Sequence, residues 1–255
     1  KPITVNYIKK LKDSTVPFAT LTAYDFTSAQ ILNEAKIPLI LVGDSASMMI
    51  YGYDTTIPIS MEEMLLLVRA VSRGSQYSLV VADMPFLSYQ PSVEETIKNA
   101  GIFIKDGGAS AVKLEGGTHM FNNIKSLVDI GIPVLGHVGL TPQSYHQLSG
   151  YSIQGKTSKD ATRIIKDALS VERAGAFGVV LECVPETLAT EITKQLSVPT
   201  IGIGSGKTCD GQIQVFHDIL GLQKNPPPKH AMIGGDLYND ILSKIETYKT
   251  TVEKL

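Results

Sequence analysis

The chain has 255 residues, of which 43% are hydrophobic and 19% are charged, and its formal net charge is −2. A chain of this length can bury its own core without disulfide bonds or structural metals. The charge balance argues against a nucleic-acid-binding protein, and no apolar run of about 18 residues suggests a membrane span. Neither of its two cysteines, Cys183 and Cys209, lies in a CxxC pair, so we expect reduced thiols and a cytoplasmic location.

Short apolar segments recur along the chain and predict buried strands. Most lack the alternation of a half-exposed strand, and continuous apolar runs are typical of parallel strands covered by helices on both faces. The predicted strands are 18–23, 39–42, 79–82, 111–114, 132–136, 177–181 and 198–203, with a weaker eighth strand within 212–216.

Helix signals separate these strands. Ser60 to Glu63 and Ser92 to Glu95 have the spacing of capping boxes, in which a serine and a glutamate satisfy each other's free amides. Ser158 is predicted to cap a helix that Gly175 ends, and Pro185 precedes another helix. A final amphipathic helix is predicted over 237–252.

Eight βα units predict a single (β/α)₈ TIM barrel domain spanning 1–255, with a C-terminal helix. A doubly wound open sheet is the alternative, but no G-x-G-x-x-G follows the first strand. The run Pro226-Pro227-Pro228 is the best linker candidate, and it separates only the last helix.

Ionisable residues follow five consecutive predicted strands. Barrel enzymes place their chemistry where the carboxyl ends of the strands meet, so these side chains are expected to line one mouth. Acids crowded there would repel one another unless a cation lay among them. The residues at these strand ends are Asp44 with Ser45, Asp83, Lys113 with Glu115, His137, and Glu182.

Roles follow from the chemistry of these groups. Asp44 and Asp83, supported by Glu115, offer the oxygen ligands that Mg²⁺ or a similar divalent ion prefers. Lys113 lies two residues from Glu115, so both face the barrel interior, where Lys113 either clamps an anionic substrate or forms an internal ion pair.

The remaining polar residues have open assignments at this level. Glu182 is a candidate general base, and His137 competes for that role or orients a neighbour. Ser45 either holds a substrate carboxylate or caps a helix. A divalent ion that chelates a 2-oxo acid stabilises its enolate, so the residues predict metal-stabilised enolate chemistry without identifying the electrophile.

The chain also resembles the ketopantoate hydroxymethyltransferase family over about residues 4–222. The matching stretches stand in the family's order and are LTAYDF at 21–26, VGDS at 42–45, GYDT at 52–55, ADMPF at 82–86, VKLEGG at 112–117, GHVGLTPQ at 136–143 and DGQI at 210–213. One departure is Ala46-Ser47-Met48, where the family often has Leu-Gly-Met.

The resemblance implies a barrel of the phosphoenolpyruvate-mutase-like group. It implies transfer of a one-carbon unit from 5,10-methylenetetrahydrofolate to 3-methyl-2-oxobutanoate, giving 2-dehydropantoate for pantothenate and coenzyme A synthesis. It further implies a homo-oligomer, a decamer in similar proteins, in which the C-terminal helix packs against a neighbour. The implied residues are Asp44, Asp83 and Glu115 for Mg²⁺, Asp44, Ser45, Asp83, Lys113 and His137 for the oxo acid, and Glu182 as proton acceptor.

Two other functions compete with this one. A lyase of the isocitrate-lyase type would need a catalytic cysteine in a Lys/Arg-Cys-Gly-His-like loop, which neither cysteine has. A metabolite-binding protein without activity is disfavoured because the acids and Lys113 are all present. Residues 144–156, with Gly150 and Gly155 as hinges, are a candidate lid for the folate, with a passive surface loop as the alternative.

Overall fold

The structure, a computed structural model, describes residues 1–255. Eight parallel strands close into a barrel in chain order, so the predicted (β/α)₈ barrel is confirmed and the open sheet is wrong. The weak eighth strand is present close to its predicted position. The strands are β1 Phe18–Thr22, β2 Leu39–Val42, β3 Leu79–Asp83, β4 Ala111–Glu115, β5 Val134–Gly139, β6 Gly178–Glu182, β7 Thr200–Ile203 and β8 Gly211–Gln214.

Eleven α-helices lie between and beyond the strands. The final helix has the predicted bounds. The helices are α1 Val5–Lys10, α2 Phe26–Glu34, α3 Ala46–Met49, α4 Met61–Gly74, α5 Val93–Lys105, α6 Phe121–Asp129, α7 Tyr145–Leu148, α8 Ser158–Arg173, α9 Glu186–Gln195, α10 Phe216–Leu220 and α11 Leu237–Val252. None of these helices combines the length and the apolar character of a membrane span.

The helix caps are partly as predicted. Ser60 and Glu63 form a reciprocal capping box at α4, whereas at α5 Ser92 accepts from the Glu95 amide without the return bond. The cap of α8 is Thr157 and not Ser158, because the Thr157 hydroxyl accepts from the Asp160 amide.

Strand register brings the predicted site residues side by side. Asp83 pairs with Lys113 across β3 and β4, and Glu115 pairs with His137 across β4 and β5. Glu182 at the end of β6 pairs with Gly139, which extends β5 beyond its predicted end. Parallel strands in this register deliver their last side chains to the same end of the barrel.

The barrel interior away from that end is filled by apolar side chains. Twelve buried residues form one cluster, and Ile8 of α1 belongs to it with no exposed surface. The barrel is therefore a packed core rather than a pore. The other members are Phe18, Leu39, Leu41, Leu79, Val81, Ala111, Leu135, Phe177, Val180, Ile201 and Ile213.

The chain divides into two compact units, residues 1–213 and 214–255. One domain over 1–255 stays a prediction from the sequence. The boundary between the units falls within β8 and not at the Pro226–Pro228 run. In the second unit, Gly221 ends α10 with a φ of 61°, and Asp236 caps α11. No residue of α11 is buried.

Candidate active site

A buried ion pair lies at the carboxyl ends of β3 and β4. The Lys113 ammonium is 2.7 Å from Asp83 Oδ1, and both side chains are less than 5% exposed. Asp83 Oδ2 accepts a hydrogen bond of 3.2 Å from the backbone amide of Asp44. The internal ion pair that the sequence left open is therefore present, and it also ties together three of the predicted site residues.

Glu115, His137 and Glu182 continue the group around the mouth. Glu115 Oε1 is 4.0 Å from the Lys113 ammonium and 3.6 Å from His137 Nδ1. His137 Nε2 is 3.2 Å from Glu182 Oε2. None of these contacts with His137 is aligned as a hydrogen bond, and both ring nitrogens and Glu115 Oε1 are buried without a hydrogen-bond partner.

Burial and mutual repulsion change the proton affinities of the acids. Burial, followed by the Asp83 charge, raises the pKa of Asp44 from 3.8 to about 7 against the opposing charge of Lys113. Burial also raises the pKa of Glu115 well above its ordinary value. Added positive charge near Asp44 and Glu115 would therefore favour their ionised forms.

The two cationic candidates behave in opposite ways. Burial alone would lower the pKa of Lys113, but the charges of Asp83, Glu115 and Asp44 raise it overall, so the ammonium persists. Burial and the nearby Lys113 charge lower the pKa of His137 well below its ordinary value. His137 is therefore a neutral imidazole at physiological pH.

Ser45 is held by a buried tyrosine. Its hydroxyl is 2.7 Å from the hydroxyl of Tyr24, which also accepts a hydrogen bond of 2.9 Å from Thr22. Ser45 precedes α3 without making a side-chain cap, so its hydroxyl is not used as a helix cap. A side chain at Gly43 would put its Cβ 2.9 Å from Ser45 Oγ, which explains the glycine there.

The departure at Ser47 is accommodated without glycine. Ser47 is fully buried in α3, and its hydroxyl donates 2.7 Å to the carbonyl of Thr55. Its backbone is not among the positive-φ positions, so a Cβ causes no strain. Ser47 thereby connects the segment after β2 to the GYDT stretch at 52–55 by a hydrogen bond.

Sequence reasoning assigned no role to Gln143 or Tyr89. The Gln143 side chain donates 2.9 Å to Asp44 Oδ2, and its backbone amide donates 3.1 Å to Glu115 Oε2. The Tyr89 hydroxyl is 2.7 Å from Gln143 Oε1. Gln143 is the last residue of the GHVGLTPQ stretch, and this position was the sequence signal that could have marked it as a site residue. Tyr89 lies in none of the matching stretches.

A cavity of about 520 Å³ reaches one acid of the site, Glu115. Glu115 and Gln143 line it on the side of the mouth, and Arg163 and Asp167 line it elsewhere. Part of its wall comes from the predicted lid, including Leu148 and Gln154.

The two glycines of the lid candidate, Gly150 and Gly155, differ in how tightly they are packed. Gly150 has a φ of 108° with open space around its Cβ position, whereas Gly155, at 80°, would place a Cβ 2.5 Å from Leu188. Tyr151 between them is half-exposed, and burial followed by the charges of Asp44 and Glu182 raises its pKa to about 12.

The acids fit a divalent cation by charge. When ionised, Asp44, Asp83 and Glu115 carry three negative charges against the single positive charge of Lys113, and His137 adds none. No three acidic, histidine or cysteine side chains are arranged as a ready-made metal-binding group. Mg²⁺ commonly uses only one or two carboxylates and completes its shell with water and substrate, so this set remains suitable.

The two cysteines do not supply a nucleophile. Cys183 follows Glu182 with a φ of 48°, and burial raises the pKa of its thiol to about 12. Cys209 is 2% exposed, and burial raises its pKa as well. Both are free thiols, as predicted, and both are protonated at neutral pH.

The fold has counterparts among solved structures. A phosphoenolpyruvate phosphomutase from Streptomyces platensis subsp. rosaceus superimposes with a TM-score of 0.66, covering 98% of this chain and 88% of that one at 11% identity. Such low identity establishes the fold alone. The protein is thus a TIM barrel whose fold is similar to that of phosphoenolpyruvate phosphomutase, with a buried acidic site at its mouth.

Sequence comparison defines the family. The ketopantoate hydroxymethyltransferase model matches residues 2–255. A 3-methyl-2-oxobutanoate hydroxymethyltransferase from Dehalococcoides mccartyi is 51% identical over 98% of this chain and 90% of its own length. One from Carboxydothermus hydrogenoformans is 50% identical over 99% and 91%.

The chain belongs to the ketopantoate hydroxymethyltransferase family, and it is a transferase enzyme. The resemblance found from the ordered sequence stretches is therefore confirmed. The isocitrate-lyase-type alternative is therefore wrong.

Proposed function

We propose that this enzyme transfers a hydroxymethyl group from 5,10-methylenetetrahydrofolate to 3-methyl-2-oxobutanoate, giving 2-dehydropantoate for pantothenate synthesis. The observation that carries the proposal is the buried set of Asp44, Asp83, Lys113 and Glu115 at the barrel mouth. It occurs in a chain about half identical to relatives bearing that enzyme name. A small anion that carries a carboxylate and a neighbouring keto oxygen matches a site with both acidic and basic side chains.

Asp44, Asp83 and Glu115 would hold Mg²⁺ or another divalent ion. When bound, the ion stabilises the negative charge that develops on the keto oxygen of the oxo acid as its C3 proton leaves. The excess of acids over ammonium groups supports this assignment, because a divalent cation balances it.

Lys113 and Ser45 bind and orient the oxo acid. The persistent ammonium of Lys113 attracts the substrate carboxylate, while its contact with Asp83 fixes its direction. The Ser45 hydroxyl, held by Tyr24, donates to a substrate oxygen. Together they place the C3 atom for proton removal.

Glu182 accepts the C3 proton, and His137 orients the Glu182 carboxylate. Glu182 lies 3.2 Å from His137 Nε2 and is more exposed than the other acids, with 16% of its side chain accessible. After Glu182 has taken the C3 proton, C3 forms a bond to the methylene carbon of the donor as the bond between that carbon and one folate nitrogen breaks. Water then replaces the second folate nitrogen on the same carbon and supplies the hydroxyl oxygen. The C3 proton and one proton of the water pass to the two nitrogens, and tetrahydrofolate leaves.

The cavity beside Glu115 and Gln143 supports a site for the donor. Its volume of about 520 Å³ falls in the range of pockets that hold drug-sized ligands. Loop residues 144–156 contribute to its wall and close over the donor in this proposal.

We also propose that the enzyme acts as a homo-oligomer, a decamer. Ile241, Ile245, Tyr248 and Val252 recur along α11 at the spacing of one apolar helix face. Light scattering on the purified protein tests the assembly, and a monomeric mass would contradict it.

A turnover assay tests the reaction. Purified protein is incubated with 3-methyl-2-oxobutanoate, methylenetetrahydrofolate and Mg²⁺, and 2-dehydropantoate is measured by mass spectrometry. Product should require all three additions and should vanish with EDTA. Absence of product with Mg²⁺, Mn²⁺, Co²⁺ or Zn²⁺ would overturn the proposal.

A further inference from the structure

Gln143 lies 5% exposed against the acids, and its side-chain amide makes four hydrogen bonds. Nε2 donates 2.9 Å to Asp44 Oδ2 and 2.9 Å to the carbonyl of Met84. Oε1 accepts 2.7 Å from the Tyr89 hydroxyl and 3.0 Å from Gln90 Nε2. Two donors and two acceptor sites are the full capacity of an amide, so none is left over.

These partners permit only one orientation of the amide. If the amide were reversed, its oxygen would face Asp44 Oδ2 and the Met84 carbonyl, which are both acceptors. Its nitrogen would face the Gln90 donor. The network therefore directs the Gln143 N–H at the Asp44 carboxylate.

The same two residues also hold Glu115. The Gln143 backbone amide donates 3.1 Å to Glu115 Oε2, and the Tyr89 hydroxyl accepts 3.1 Å from the Glu115 backbone amide. Tyr89 is 1% exposed, and its hydroxyl lies 2.7 Å from Gln143 Oε1 and 3.3 Å from the Glu115 carbonyl, so Gln143 is its nearer acceptor. Gln143 thus engages one oxygen of Asp44 and one of Glu115, which come from different strands.

We propose that Gln143 is a positioning residue that sets the Asp44 carboxylate for divalent-cation binding, and that Tyr89 fixes Gln143. The proposal rests on the proposed function, in which Asp44 is a metal ligand. Hydrogen bonds to the ligands of a metal restrict their orientation, and their loss weakens binding or activity by about 10- to 100-fold. A carboxylate held through one oxygen loses less freedom when the other binds a cation.

Three variants test the role. Gln143→Met keeps a side chain of similar length but removes all four hydrogen bonds of the amide. Tyr89→Phe removes one of these hydrogen bonds and keeps the aromatic ring. Gln76→Met makes the matched substitution at an exposed position outside the site. Calorimetric titration with Mg²⁺ alone gives the Kd, and thermal unfolding without Mg²⁺ reports stability separately.

We expect Gln143→Met to raise the Kd for Mg²⁺ by about tenfold or more. Tyr89→Phe should raise it by about threefold, since three bonds to the amide remain, and Gln76→Met should match wild type. Saturating Mg²⁺ should restore most of the kcat of Gln143→Met, because the ligands themselves are intact. A lower unfolding temperature with an unchanged Kd is the outcome of a purely structural role and would overturn the proposal.

Two further outcomes separate this proposal from the one on which it rests. If wild type forms product but Tyr89→Phe binds Mg²⁺ as wild type does, the positioning role is wrong and the reaction stands, even if Gln143→Met does not fold. If wild type neither binds a divalent ion nor forms product, both proposals are wrong.

Discussion

The two ends of the barrel are built from the same strands but differ in chemistry. On β3, Leu79 and Val81 belong to the apolar cluster, and Asp83, the next residue with the same two-residue spacing, lies in the ion pair. On β4, Ala111 precedes Lys113 in the same way. Side chains two residues apart in a strand point to the same face. Along β3 and β4, the side chains that face the barrel interior are therefore apolar at the start of the strand and ionisable at its carboxyl end.

The apolar end of the barrel stabilises the fold, whereas the mouth carries the groups for the reaction. The apolar end, the floor of the barrel, gains its stability from burial of hydrocarbon. The mouth buries charges whose desolvation opposes folding, and these are tolerated because they are paired or hydrogen-bonded. Substitutions at the floor should therefore change folding, and substitutions at the mouth should change turnover.

The largest effect is expected at the mouth, in Glu182→Gln. Loss of the proton acceptor should lower kcat by roughly 100- to 10,000-fold, the usual contribution of a general base. Exchange of the C3 proton of 3-methyl-2-oxobutanoate into deuterated water, followed by NMR, isolates that step. Glu191→Gln, on the exposed face of α9, is the control. Exchange at the wild-type rate in Glu182→Gln would remove it from this role.

The next effect is expected at the floor, in Leu39→Ala. Leu39 has no exposed surface, so the cavity should lower the free energy of unfolding by about 2–5 kcal/mol. The kcat of the folded fraction should stay within about twofold. Leu66→Ala removes the same atoms from a side chain that is 60% exposed and should change stability little. Equal effects in the two variants would contradict the role of the floor.

The pH dependence of Mg²⁺ binding sharpens the contrast. Because the pKa of Asp44 is raised to about 7, protons compete with the cation below that pH. The Kd for Mg²⁺ should rise at least about tenfold per pH unit below 7, with at least one proton released per ion there, because Asp44 and Glu115 both have raised pKa values. Calorimetry in buffers of different ionisation enthalpy measures that proton release. A Kd constant from pH 5 to 8 would refute the competition.

The same group makes metal-free stability depend on pH in the opposite direction from an ion-paired acid. The pKa of Asp44 is higher in the folded chain than its ordinary value of 3.8, so the folded state binds more protons between the two values. Its contribution to the free energy of unfolding therefore falls as pH rises from about 4 to about 7. Chemical denaturation in EDTA across that range measures the slope, which Asp44→Asn should reduce.

The smallest effect is expected in the outer helical layer, in Ser60→Ala. This removes the hydroxyl from the reciprocal capping box of α4 and should cost about 1 kcal/mol without changing kcat. Ser92→Ala, which removes a one-sided cap, should cost less. Urea denaturation compares the two, and a larger cost for Ser92→Ala would show that the hydroxyl of the reciprocal box contributes no more than that of a one-sided cap.

The sequence allowed most of the barrel to be predicted because its local signals agree. Continuous apolar runs located the strands, and the spacing of α11 located its ends. The cap of α8 was misplaced by one residue because Thr157 and Ser158 are adjacent hydroxyl residues with similar capping propensity. The predicted end of β5 fell short because Gly139, with a φ of 97°, continues the pairing with β6.

The site was predictable only in part. The acids could be found because each follows a strand, and parallel strands meet at one end. The bonds from Gln143 could not be found, since Asp44 and Glu115 lie 99 and 28 residues away in the chain. The pKa of Asp44 depends on burial among these distant groups, which no local pattern encodes.

The thiol of Cys209 gives the protein an internal reporter of unfolding. Thiol-reactive dyes attack the thiolate, and Cys209 is 2% exposed in the folded chain, where burial raises the pKa of its thiol. Unfolding restores ordinary acidity and access at once. The rate at which a dye labels Cys209 in the untreated protein therefore reports how often the barrel opens, without any engineered probe.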